Sequence, residues 1–127
     1  MRVQDAGDHF EVQGITNLNA AESGSDQFFP FVTVPPNGRV DVCYQDRSYS
    51  SGNALIYTTC SFSTDGGLTF SSQQVTTTGF DASNNTFIGD YNWQASTNAL
   101  VEPIFVGDGK PGGDSTTQEV FVARVTP

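Results

Sequence analysis

Positive charge is the scarcest property of this chain. Its 127 residues hold four Arg, one Lys and one His against 14 Asp and Glu, for a net charge of −9. Such an acidic surface does not suit a nucleic-acid backbone or an anionic bilayer, so neither is expected as a partner. His9 is the sole histidine and no Gly-x-Ser-x-Gly elbow occurs, which leaves a Ser–His–acid triad without support. The two cysteines, with His9 far away in sequence, do not make a zinc set, and no metal site is assigned. No apolar run approaches the roughly 18 residues of a membrane span. Residues 1–8 have no apolar core and do not read as a signal peptide. Long Glu/Lys/Leu-rich stretches are also missing, and with them the usual material of helices.

What remains is rich in Ser, Thr, Asn, Gly and aromatics, including 10 Phe. That mixture describes an all-β protein with polar turns, the size of one ordinary domain. It also resembles extracellular proteins, which favours an extracellular or periplasmic location. Eight strand-like runs stand out: 9–16, 28–34, 39–46, 54–62, 72–78, 86–95, 99–106 and 119–125. Pro35-Pro36-Asn37-Gly38 is a strong turn between the second and third. Arg2 falls in a loose end ahead of the first run. If the runs around Cys43 and Cys60 form a hairpin, the two residues sit nearly opposite. They are then either a cross-strand disulfide or two buried thiols. Asn84-Asn85-Thr86 is a formal glycosylation sequon.

The most informative segment is Ser63-Thr64-Asp65-Gly66-Gly67-Leu68-Thr69-Phe70. Asp65 can fold its carboxylate onto the amides that follow, and Gly66 and Gly67 allow positive φ. The hydroxyls of Ser63 and Thr69 can tie the ends of the turn, and Phe70 faces the core. This octapeptide resembles the Asp box (BNR repeat) of sialidase-like β-propellers. In that family it is a structural turn between the third and fourth strands of a blade, away from the substrate face.

The order of runs repeats. Phe29-Pro30-Phe31-Val32, Val40-Asp41-Val42 and Leu55-Ile56-Tyr57 are followed, about 60 residues on, by a second set. That set is Phe87-Ile88-Gly89-Asp90, Val101-Glu102-Pro103-Ile104-Phe105 and Val120-Phe121-Val122. The resemblance implies two four-stranded antiparallel blades: 28–78 with the Asp box at 63–70, and 86–125. Residues 9–16 read as an outer strand available to close the second blade. Two blades leave open faces, so three copies closing a six-bladed ring, a homotrimer, are expected. A fragment of a longer propeller, or a β-sandwich of the same strands, are the alternatives.

The resemblance also implies a carbohydrate-active protein, with its substrate face opposite the Asp-box turns. Arg47 is the best-placed arginine for a carboxylate or sugar hydroxyls, and it can equally pair with Asp46 or another acid. Asp46 and Asp90 are candidate catalytic carboxylates, with Asp90 and Tyr91 expected on an innermost strand. A glycosidase would hold such a pair about 5 to 9 Å apart. Tyr49, Tyr91 and Asp108 are candidate substrate-binding residues, although Tyr91 and Trp93 also suit packing between blades. Arg39 and Arg124 lie elsewhere, so one chain cannot assemble the sialidase arginine triad. The oxygen-rich stretches 81–85 and 108–114 offer Ca²⁺ ligands without EF-hand spacing. Two functions follow as expectations: a sialidase-like glycoside hydrolase or its remnant, and a lectin-like glycan-binding module.

Overall fold

The computed structural model describes residues 2–5, 7, 9–18, 24–83, 88–108 and 118–127. Those residues form ten strands and no helix, arranged in antiparallel sheets of which none closes into a barrel. The all-β expectation is met. The strands are β1 (Arg2–Asp5), β2 (Phe10–Gly14), β3 (Gln27–Thr33), β4 (Val40–Asp46) and β5 (Leu55–Ser63). They continue as β6 (Ser71–Gln74), β7 (Phe80–Asp81), β8 (Trp93–Ser96), β9 (Val101–Asp108) and β10 (Gln118–Val122).

The first sheet is a meander in the order β3-β4-β5-β6, with β7 pairing the opening residues of β5. The second is a three-stranded meander, β8-β9-β10. β1 and β2 pair only with each other in a separate two-stranded sheet. This corrects two expectations. Arg2 is part of a strand rather than a loose end, and residues 9–16 do not close the second sheet within the chain. Phe10–Gly14 finds its partner in the adjacent β1 because a short hairpin costs little loop-closure entropy.

β4 and β5 form the centre. Cys43 stands opposite Cys60, and the two form a disulfide with their Cα atoms 4.0 Å apart. The sequence left that pairing open, and the register settles it. With period-2 alternation, Phe31, Thr33, Asp41, Cys43, Cys60 and Phe62 share the inner face of the first sheet. Gln94, Ser96, Val101, Pro103 and Phe105 share the inner face of the second. Cys43, Cys60, Phe62, Val101 and Val125 make the apolar core between them.

Above that core the sheets meet through polar groups. Arg39 is buried and grips the fully buried Asp41 with Nε and one terminal nitrogen, at 2.6 and 3.0 Å. Its guanidinium also donates to the carbonyls of Asn98 and Thr97, at 2.9 and 3.0 Å. The side-chain amide of Gln94 accepts from the Cys43 N–H and donates to the Asp41 carbonyl and the Thr33 hydroxyl. Every one of these bonds crosses from one sheet to the other or fixes a group that does. They satisfy buried polar atoms that would otherwise cost about 1–3 kcal/mol each.

Register places the chain's turns at two ends. The turns 35–39, 63–70 and 97–100 lie at one end, with the Asp box. The segments 24–26, 47–54, 79–83 and 88–92 lie at the other.

Candidate functional site

The Asp-box end is closed upon itself. Asp65 Oδ1 accepts from the Ser63 hydroxyl and the amides of Leu68 and Thr69, at 2.7, 3.0 and 3.0 Å. Oδ2 accepts from the Thr69 hydroxyl and amide, at 2.6 and 3.1 Å. Ser63 Oγ in turn accepts from the Gly67 amide at 2.8 Å. Gly66 and Gly67 have φ of 73° and 85°, as such a tight reversal requires. The bonds from Thr69, then that from Ser63, hold the Asp65 carboxyl far below the usual aspartate range. With its oxygens committed, this carboxylate organises a turn and has little left for a ligand. Phe70 is half-buried at the end of the turn. Thr16 donates to the Gly67 carbonyl at 2.9 Å, which fastens the segment after β2 across the first sheet.

The opposite end is looser. Arg47 follows β4, and its amide donates to the Asp26 carbonyl at 3.1 Å. Its guanidinium pairs with Asp26 at 3.4 Å, rather than with Asp46, and lies 5.6 Å from the Phe28 ring centroid. Asn53 clasps Asp26 from the far side of the loop, with two bonds of 2.9 Å. Tyr49 is 44% exposed and meets Tyr57 edge to face at 5.6 Å. A Cβ at Gly79 would fall 2.6 Å from the Tyr57 ring, so only glycine lets Tyr57 lie there. Hydrogen bonds from Ser83 lower the Asp81 carboxyl, and the Arg47 charge adds to the effect.

Asp46 does not serve as an open carboxylate. It is buried, and Oδ1 accepts from Gln27 and the Ser48 amide while Oδ2 accepts from Thr59. The cause lies in the strand: Val40, Val42, Tyr44 and Asp46 alternate onto one face, and Asp46 closes that stripe. Asp90 and Tyr91 precede β8 instead of lying within a strand, and both are exposed, Tyr91 at 95%. The apolar pair Phe87-Ile88 imitated the start of β3, whereas the strand begins at Trp93. Within the chain, Tyr91 and Trp93 do not pack between the two sheets, since Trp93 points away from the inter-sheet core and is 67% exposed. Asp108 ends β9, opposite Gln118, at this same end of the sheets. The sequon and residues 84–85 and 109–114 of the two oxygen-rich stretches lie outside the described residues. Among the described residues no group of three or more His, Cys, Asp or Glu stands ready for a metal.

One residue at this end escaped the sequence reading. Asn92 is buried and immediately precedes β8. Its Oδ1 and the Nε of Arg47 are the enclosed side-chain polar atoms with no partner among the described residues. Both lie at the end opposite the Asp box. One is an acceptor and the other a donor, in a fold that otherwise satisfies its buried polar groups closely. No protein-family model, curated protein or solved structure matches this chain.

Proposed function

We propose that the chain is a two-blade unit of a sialidase-like β-propeller that binds carbohydrate at the end opposite the Asp box. The two consecutive antiparallel meanders support the blade reading, because neither sheet borrows a strand from the other as a Greek-key sandwich does. In this reading β8-β9-β10 is a blade short of one strand, and three copies complete a six-bladed ring.

The observation that carries the site is that the Arg47 guanidinium, held by Asp26, and the exposed Tyr49 ring stand at the same end, opposite the Asp box. Sugar hydroxyls both donate and accept, and an exposed aromatic face offers a flat apolar surface beside them. Asp26 and Asn53 pre-orient the Arg47 fork, which lowers the entropy lost on binding. Binding without turnover fits better than hydrolysis, because the Asp46 carboxylate is enclosed and engaged by three donors. The protein is thus a lectin-like module or the non-catalytic remnant of a glycosidase, with no cofactor assigned.

The test is a glycan array with the intact chain, run beside a panel of chromogenic glycosides. Selective binding that falls at least about tenfold in Arg47→Ala supports the proposal. Turnover of any glycoside contradicts the lectin reading, and an array without selective binding contradicts the carbohydrate reading altogether.

A further inference from the structure

Among the described residues, the outer face of the second sheet is mostly apolar and exposed. Register aligns Trp93, Ile104 and Val122 in one row across β8, β9 and β10, with Val106 and Val120 beside it. Trp93, Val120 and Val122 are 67%, 71% and 62% exposed, so this is a continuous surface rather than scattered side chains. Its charged neighbours cancel, because Arg124 pairs with Glu102 at 3.2 Å.

The outer face of the first sheet is complementary. The segment after β2, pinned by Thr16, stands away from the sheet and leaves a groove of about 470 Å³. Ile15, Leu18, Phe28, Pro30, Val42 and Tyr44 line it, and among the described residues no charged one does. Val32, opposite Val42 on the same face, is 64% exposed at its lip. Burial raises the Tyr44 hydroxyl pKa, so Tyr44 stays neutral in this wall.

We infer that copies of this chain associate head to tail, with the Trp93 face of one seated on the Tyr44 groove of the next. The inference rests on the blade reading above and is independent of glycan binding. A second copy is the occupant for two reasons. The inner faces of these same two sheets already stack against each other within the chain, so the leftover faces continue that stacking from copy to copy. The charged pair beside the Trp93 face, Arg124 and Glu102, compensates itself, and the described residues that line the groove are uncharged. Two grooves face to face, or two flat faces back to back, would leave the groove unfilled. The contact is therefore heterologous, and a ring forms where its rotation closes.

The test uses complementation in the full chain. Val120→Glu with Val122→Glu spoils the flat face, and Ile15→Glu with Val32→Glu spoils the groove. All four positions are exposed, so both double variants fold, as circular dichroism will verify. The expected wild type is larger than one chain by light scattering, with blue-shifted emission from its single tryptophan. Each double variant is expected to be monomeric with red-shifted emission, assembling at least tenfold more weakly. Their equimolar mixture regains the mass of two chains and a blue-shifted Trp93. A wild type that stays monomeric at high concentration, as a piece of a longer propeller would, overturns the inference. So does a mixture that stays monomeric while the wild type assembles. Assembly without glycan binding would remove the carbohydrate proposal alone.

Discussion

The two sheets are built from the same plan and finished differently. The first has four meandering strands, a disulfide across its central pair, and the Asp box fastening β5 to β6. The second has three strands, no covalent tie, no Asp box among the described residues, and an apolar face open to solvent. The first sheet carries its stability internally. The second leans on the first through Gln94, Arg39 and Val101, and leaves its other side for something else to cover.

Breaking the seam between the sheets has the largest expected effect. Arg39→Ala leaves the fully buried Asp41 carboxylate without its cation and frees the Thr97 and Asn98 carbonyls. A loss of about 3–5 kcal/mol is expected in urea denaturation. Arg39→Lys should recover only part of it, because lysine cannot make the bidentate contact.

Removing the staple of the first sheet comes next. Cys43→Ser with Cys60→Ser opens a loop with a sequence separation of 17. The expected cost is about 3 kcal/mol, seen as a lower denaturant midpoint in the variant and in reduced wild type alike. If the comparison between sheets holds, proteolysis of the variant begins in the first sheet, where wild type resists.

The smallest effect concerns acid. Asp65 has a folded pKa below its unfolded value of about 3.9, so its stabilisation is complete above that pH. As pH falls from about 5 through 4 and lower, the unfolded chain takes up a proton that the folded turn refuses, and stability drops. Asp65→Asn should lower stability at neutral pH and flatten this acid limb. An unchanged limb would remove Asp65 as its source.

Local chemistry made much of the first sheet legible. The Asp box is read from residues at i, i+2, i+4 and i+6 whose turn-forming bonds stay within the octapeptide, so no distant contact decides it. The Cys43–Cys60 register followed from one hairpin, although the sequence could not choose between disulfide and thiols. Arg39-Val40-Asp41 carried an available signal, because residues at i and i+2 share a strand face, and it went unused. Asp46 carried another, at the end of the Val40-Val42-Tyr44 stripe. Gln94 gave no signal at all, since its role depends on atoms about fifty residues away in sequence, and nothing local marked Asn92 as buried. Phe87-Ile88 misled because an apolar pair before a Gly looks like a strand entry, and this shifted Asp90 and Tyr91 onto a strand they do not occupy.

Hydrogen exchange followed peptide by peptide through a dilution series tests the central contrast most directly. The account predicts that β4 and β5 exchange only by global unfolding at every concentration. It predicts that β10 exchanges far faster in dilute solution and slows as copies associate. Equal protection of β10 and β5 in the dilute, monomeric chain would contradict it, because the second sheet would then need no partner.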